Sequence, residues 1–425
     1  MNFLYILVAG AALLSAQSGN DAAVTCIDAT PAIQPYYRNL ARKLAIKPAL
    51  MPTGGNGFDI LRTGKLYSEF LHKDLESAKE LIELEVFLFG EDKDGTKVRD
   101  VLVDKVAHGV TVRYLHDNFG NFFDNTFDGR PNFTGYYSNM KKSGIDVRQH
   151  TPFWRINDTF TDPTYRNHRK INLIDKKTAY IGGMNISEGS MSGWGDTQIR
   201  ITGPAVQCVR EVFLEDWNRG GGPNLPETGS LSVSAEGDDC GTDGKILQFV
   251  TDGPDMPAYM MEELIVWLLS HAKKYVWFET PYLLPTRPVM KAMNEAARRG
   301  VDVRVISSED TDMSFFDPAY HASVKECVKN GIKVIYRKPP FNHSKTLVCD
   351  DYITCIGSTN IDKISLQSLY EINVLIYDSP TAIEHREYLT EAQEEAKIAD
   401  QAYIDSWTAS YRFKQAMLGI ISPWL

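Results

Sequence analysis

The sequence predicts an α/β protein made of two tandem halves related by internal duplication. Three observations predict it. Each half has an apolar strand-like run, then a helix-like run closed by Gly, then a second strand pattern. The first copy is Leu84 to Phe89 followed by His108-Gly109-Val110-Thr111-Val112-Arg113, and the second is Tyr275 to Thr280 followed by Arg299-Gly300-Val301-Asp302-Val303-Arg304. Gly suits the left-handed residue that ends a helix before a strand, and strand, helix, strand is the unit of an α/β sheet. Between the halves, Gly220, Gly221, Gly222 and Pro223 open a Ser- and Gly-rich stretch that runs to Gly241 and reads as a linker. Finally, one polar pattern recurs in both halves at identical spacing, as a duplication requires.

The expected organisation follows from these signals. Residues 1–23 form an apolar N-terminal segment, 24–70 a basic region, 71–219 the first domain, 220–241 the linker, and 242–425 the second domain with a helical tail from Thr381 to Lys414. From Phe3 to Ala16 the chain is apolar and uncharged. That is shorter than the roughly twenty residues of a bilayer span, so it reads as a signal-peptide core, whose removal would give an exported form, or as a short anchor. From Pro35 to Lys47, Tyr37, Leu40 and Leu44 share one helical face, with Arg38, Arg42, Lys43 and Lys47 elsewhere. This pattern suits a membrane-surface helix or a solvated helix packed on the domain by its apolar stripe. The aromatic run Phe119, Phe122, Phe123, Phe127, Phe133, Tyr136 and Tyr137, with Phe315 and Phe316 in the second half, forms either a lip for acyl chains or a cluster under a long loop.

With 425 residues, 43% hydrophobic and 24% charged, the chain is a folded protein of two-domain size. Its formal net charge of −10 disfavours a nucleic-acid partner, whose phosphates are met by Lys and Arg. The six cysteines form no CxxC pairs, so no zinc site is implied. Cys349 and Cys355 flank an expected hairpin and fit buried strand residues as well as a disulfide.

The repeated polar pattern carries the chemistry. His168, Lys170, Asp175, Gly182, Asn185 and Asp196 recur as His343, Lys345, Asp350, Gly357, Asn360 and Glu371, at offsets of 2, 7, 14, 17 and 28 residues from the histidine in both copies. His and Lys two apart on a strand project to one face, which pairs an imidazole with an ammonium and suits a phosphate. Asp175 and Asp350 have the opposite parity and fall at expected hairpin turns, Asp175-Lys176-Lys177 and Asp350-Asp351, where they serve structure. Asn185 and Asn360 follow the turn beside the small residues Gly183 and Ser358, where a phosphate could approach backbone and amide donors. Asp196 and Glu371 are suited to accept a hydrogen bond from an imidazole and set its tautomer.

At these positions the chain resembles the phospholipase D superfamily, whose signature is HxK, then D, then Gly and Asn. Both copies are complete, so His168, Lys170, Asp175, His343, Lys345 and Asp350 occupy the positions of the catalytic signature. The flanks Arg166 to Ile171, Ala179 to Ile186, Asp196 to Val206, Phe213 to Trp217, Phe341 to Val348 and Ile421 to Leu425 resemble bacterial cardiolipin synthases in particular. The chain departs from that family in its shorter N-terminal region, at Gly195 where Arg is usual, and at Ile364 and Leu369 where Arg and Asn are usual. The resemblance implies two α/β/α sandwich domains packed about a pseudo-two-fold axis, with both HxK segments at one site. It implies attack by His168, acid and base work by His343, charge stabilisation by Lys170 and Lys345, and no metal or cofactor. The expected reaction condenses two phosphatidylglycerol molecules to cardiolipin and glycerol at a membrane surface. The alternatives are hydrolysis by a phosphodiesterase of the same superfamily and a non-catalytic lipid-binding member.

Overall fold

Gly109 and Gly300 adopt φ of +85° and +88°, the left-handed conformation that costs Gly nothing and lets each helix turn straight into a strand. The first half runs β1 (Thr53–Leu61), α2 (Gly64–Ser77), β2 (Leu81–Val86), α3 (Lys93–Ala107), β3 (Thr111–Asp117), α4 (Phe133–Lys142), β4 (Asp146–His150), β5 (Ile171–Ile174), β6 (Thr178–Gly182), β7 (Gln198–Thr202) and α5 (Ala205–Arg219), with α1 (Pro35–Leu44) ahead of it. The second runs β8 (Lys245–Asp252), α6 (Met260–His271), β9 (Tyr275–Glu279), β10 (Leu283–Leu284), α7 (Arg287–Arg298), β11 (Asp302–Ser307), α8 (Asp317–Lys329), β12 (Lys333–Tyr336), β13 (Thr346–Cys349), β14 (Ile353–Gly357), β15 (Ile361–Asp362), β16 (Glu371–Tyr377), α9 (Ser379–Glu391), β17 (Lys397–Ala399) and α10 (Ala409–Ile421). This computed structural model describes residues 33–117, 119–120, 133–150, 165–226, 244–312, 317–394 and 396–421. The segment Phe3 to Ala16, Cys26, Cys240, most of the linker, Phe122, Phe123, Phe127, Phe315, Phe316 and the terminal Ser422 to Leu425 lie outside the described residues.

Among the described residues, fifteen strands make one sheet in the order β17-β12-β11-β9-β13-β14-β16-β8-β1-β7-β6-β5-β2-β3-β4. Read outward from the β1–β8 pair, the two halves repeat the same strand order, and β17 is an extra edge strand. β2 and β3 are parallel, as are β9 and β11, while β5 and β13 run antiparallel to them. The halves are joined covalently by the linker and by the antiparallel β1–β8 pairing, with Thr53 opposite Leu247.

That pairing corrects the expectation of a separate basic region over 24–70. β1 is an interior strand, paired to β7 on its other side, and α1 belongs to the packing of the second half. Tyr37, Leu40, Ala41 and Leu44 are buried with Ile265, Leu268 and Tyr352 in one core. Tyr37 stacks on Tyr352 at 4.9 Å, and Gln248 Nε2 donates to the Ala41 carbonyl at 2.9 Å. The apolar stripe of α1 is therefore covered by protein and is unavailable to a lipid surface.

Tyr136 and Tyr137 are likewise core residues, packed with Phe89 and Tyr114, and Tyr137 stacks on His116 at 3.9 Å. They line no lip. The tail covers the second sheet as expected: Ala382 and Leu389 of α9 pack on Trp277, Ile306 and Val348. Cys349 and Cys355 are buried free thiols. The β13–β14 register sets Leu347 opposite Cys355 and Cys349 opposite Ile353, so the two sulfurs are never cross-strand partners.

Candidate functional site

Each HxK segment lies just ahead of its strand, because β5 begins at Ile171 and β13 at Thr346. Here the backbone leaves its own sheet neighbours and bonds to the opposite half. His168 N donates to the Tyr370 carbonyl at 2.9 Å and Tyr370 N to the Arg166 carbonyl at 2.9 Å; His343 N donates to the Gly195 carbonyl at 2.6 Å and Gly195 N to the Phe341 carbonyl at 2.8 Å. Tyr370 and Gly195 immediately precede Glu371 and Asp196. The crossing thus delivers each carboxylate to the imidazole of the other half: His168 Nδ1 lies 2.9 Å from Glu371 Oε1 and His343 Nδ1 lies 2.6 Å from Asp196 Oδ2. An Nδ1–H donating to carboxylate leaves Nε2, on the far side of each ring, as the basic nitrogen.

Both imidazoles and both lysines are buried. Burial, then the positive charges of Lys170, Lys345 and His343, hold the His168 pKa well below the usual value. Burial and Lys345 lower that of His343, with Asp196 acting the other way. Both rings therefore rest neutral, each with a carboxylate of the other half on its Nδ1. Burial lowers Lys170 to about 7 against the pull of Glu371, and Lys345 to about 8 against Asp196. It also raises Glu371 to about 7, opposed by Lys170. Desolvation of a charge that lacks its partner is the common cause. Lys170 Nζ donates to the His168 carbonyl at 2.6 Å, and Lys345 Nζ donates to the His343 carbonyl, so each ammonium sits against its own HxK turn.

The other expected site residues divide. Asp175 and Asp350 sit in the hairpin turns, at φ of 49° and 50°. Asp175 accepts from the backbone N–H of Lys79, Glu80 and Leu81 at 2.8 to 2.9 Å. Asp350 accepts from those of Lys273, Lys274 and Tyr275 at 2.7 to 3.0 Å. Each pins the start of the central strand beside its HxK strand, the structural place that strand parity assigns it. Gly183 and Ser358 both lie against the exchanged carboxylates. A Cβ on Gly183 would lie 2.2 Å from Asp196 Oδ1, so this glycine makes room for the carboxylate, and the Ser358 hydroxyl donates to Glu371. Asn185 Oδ1 accepts from Leu88 N at 3.2 Å. Asn360 Oδ1 is buried and has no partner among the described residues.

Several residues that hold the site were missed. Arg169, between the histidine and lysine, is buried and donates to Asp216, to the Glu371 carbonyl at 3.1 Å and to the Asp252 carbonyl at 3.0 Å, so it ties the first HxK to two strands of the second half. Buried Glu85 accepts from Asn167 Nδ2 at 2.6 Å, and at the matching place Glu279 accepts from Arg337, beside Asn342. The strand parity that places His168 and Lys170 on one face puts Arg169 on the other, which is the signal that could have found it. Phe87 meets the His168 ring at 5.1 Å and Trp194 the His343 ring at 4.9 Å.

Two HxK segments converging on one site across a duplicated α/β sheet define a phospholipase D-type protein. The chain's fold is shared with the crystal structure of phosphatidylserine synthase from Haemophilus influenzae, at a TM-score of 0.65 and 14% identity over 86% of this chain and 92% of that one. The family described as cardiolipin synthase, phospholipase D-like domain, matches residues 71–217 and 265–393. The chain belongs to this family, and it is an enzyme of the phosphatidyltransferase type. It is 28% identical to a cardiolipin synthase of Oceanobacillus iheyensis over 87% of its own length and 76% of the relative's. It is 31% identical to a probable cardiolipin synthase of Bacillus subtilis over 75% of its own length and 62% of the relative's.

Proposed function

We propose that the protein joins two phosphatidylglycerol molecules into cardiolipin and releases glycerol, through a phosphohistidine on His168. The observation that carries this reading is the reciprocal exchange of carboxylates, which gives one site two imidazoles of fixed tautomer. His168, held neutral by burial and its lysine neighbours, attacks phosphorus through Nε2. The bound phosphodiester anion offsets the lysine charges, so that His343, its Nδ1–H held by Asp196, takes up a proton from solvent at Nε2, and the P–O bond to the departing glycerol breaks as His343 gives that proton to the leaving oxygen. His343 then takes the proton of a hydroxyl on the second phosphatidylglycerol. The hydroxyl oxygen attacks phosphorus, the P–N bond to His168 breaks, and cardiolipin leaves. Lys170 and Lys345 balance the charge that grows on the phosphoryl oxygens. Asn185, whose Oδ1 is already engaged, offers its Nδ2 to the same oxygens.

Transfer has to outrun hydrolysis, so the acceptor lipid must be concentrated and held at the site. A membrane surface does this, with attachment by the N-terminal segment or peripherally. Among the described residues no helix is long and apolar enough to cross a membrane. Purified protein given vesicles of phosphatidylglycerol should yield cardiolipin and free glycerol, with phosphatidic acid as a minor product. Phosphatidic acid alone at every lipid density would overturn transfer in favour of hydrolysis.

A further inference from the structure

We propose that Asp312, held by Tyr282 beside Asn360, forms the subsite for the hydroxyl-bearing headgroup of the acceptor lipid, on the His343 side of the centre. This rests on the transferase reading above and assigns the acceptor its place within it.

The position comes from the ends of two central strands. Tyr282 follows β9, and Asp312 follows β11, at the carboxyl edge where α/β sheets open to ligands. The loop beyond β11 is bound to the second HxK: Ser308 Oγ accepts from Asn342 N at 2.8 Å, and Asn342 Nδ2 reaches the Ile306 carbonyl at 3.3 Å. The Tyr282 hydroxyl donates to Asp312 Oδ1, which bridges the two strand ends. Tyr282 itself immediately precedes Leu283, which pairs with Ile361, the residue after Asn360. Thr280 Oγ1 closes this corner by accepting from Ile361 N at 3.3 Å.

The groups gathered there are acceptors. Asp312 is exposed, and a carboxylate with one oxygen engaged keeps lone pairs free for a hydroxyl. Asn360 keeps a buried Oδ1 without a donor among the described residues. At the matching position in the first half the arrangement is reversed: Asn185 Oδ1 is satisfied by Leu88 N, and the amide is the end that remains for a ligand. One asparagine thus presents a donor, suited to phosphoryl oxygens, and its counterpart an acceptor, suited to hydroxyl protons. A buried acceptor without a donor is costly, and a ligand hydroxyl relieves that cost.

Charge gives the same polarity. The Asp312 carboxylate acts on His343 and Lys345, favouring the proton on both, whereas the leading charges on His168 are Lys170, Lys345 and His343. A carboxylate at this spot favours the proton on the imidazole assigned to exchange it. It also repels a second phosphate, so that the acceptor enters hydroxyl first with its own phosphodiester kept outside. The acceptor oxygen then lies beside His343, which takes its proton as the P–N bond to His168 breaks.

The test is a competition between two alcohols. Phosphatidylglycerol vesicles are supplied with deuterated glycerol and 1-propanol together, and incorporation of each is measured by mass spectrometry for the wild type, Asp312→Asn, Asp312→Glu and Tyr282→Phe. Glycerol can use a neighbouring hydroxyl to reach the carboxylate, and propanol cannot. The glycerol-to-propanol ratio should fall about tenfold in Asp312→Asn, fall less in Tyr282→Phe, and recover in part in Asp312→Glu. Unfolding midpoints report whether each variant is folded. A ratio unchanged within twofold, or equal loss of both transfers, overturns the acceptor subsite while leaving the transferase reading intact. If the wild type yields phosphatidic acid alone, with neither cardiolipin nor transfer to either alcohol, the transferase reading falls and the subsite with it; cardiolipin formation without transfer to either alcohol overturns the subsite alone.

Discussion

His343 Nδ1 lies 2.6 Å from Asp196 Oδ2, although the two residues are 147 positions apart and belong to different halves of the duplication. His168 and Glu371 make the mirror contact across 203 positions. Neither half owns a complete imidazole–carboxylate pair, so the catalytic unit exists only when both are folded against each other. The β1–β8 pairing and the crossed backbone bonds at Tyr370 and Gly195 enforce that arrangement.

Asp196→Asn is expected to lower the His343 pKa further, because the carboxylate is the principal group opposing burial there, and to cut kcat on the order of 10²–10⁴-fold. Glu371→Gln should do comparable damage through His168. Histidine NMR titration checks the cross-half assignment: a shift of His168 rather than His343 in Asp196→Asn would sink it.

His168→Ala and His343→Ala should each abolish turnover with the fold retained. They differ at the intermediate. A donor with a good leaving group, carrying radiolabelled phosphorus, should still label the protein in His343→Ala and leave His168→Ala unlabelled. Labelling of the His168 variant would reverse the assigned roles.

Asp175→Asn and Asp350→Asn should lower stability by about 1–2 kcal/mol each, since each carboxylate serves three backbone donors. Burial works to raise the Asp175 pKa, but the N–H groups of Leu81, Lys79 and Glu80 hold it below the usual value. Its contribution is then fully present above about pH 4 and is lost as pH falls through the lowered folded value. Chemical denaturation from pH 7 down to 2 should show the Asp175→Asn deficit shrinking at the acid end.

Lys170 and Lys345, lowered by burial to about 7 and about 8, give anion binding a proton signature. Their folded values lie below the roughly 10.4 of a free lysine, so the empty protein loses stability as pH falls from there through 8 and 7. A bound dianion raises both values again. Titration of sulfate at pH 8, in two buffers of different ionisation enthalpy, should therefore show net proton uptake. Zero uptake would mean that the lysines are already charged in the empty site.

Leu40→Ala should cost about 2–4 kcal/mol, because this α1 side chain is fully buried in the second-half core. A change below 0.5 kcal/mol in denaturant unfolding would mean that α1 sits on the surface and that its apolar stripe is free after all.

The duplication, the βαβ order, the Gly-capped helix ends and the six-position polar pattern could all be read from the sequence, because each is written in local spacing and in residue types with few other uses. Strand parity by itself assigned Asp175 and Asp350 to turns. The same local signals were ambiguous for Tyr37, Leu40 and Leu44 of α1 and for Tyr136 and Tyr137, since an apolar stripe looks the same whether lipid or protein covers it. Only the tertiary structure decided that protein covers both. It also set Gly183 and Ser358 against Asp196 and Glu371, and decided that Arg169 ties the halves together. The crossing of Asp196 to His343 and of Glu371 to His168 was beyond sequence reasoning for a physical reason. Equal spacing in the two halves fits an acid paired within its own copy as well as one exchanged across the axis, and the choice is made by backbone bonds between segments that no local pattern connects.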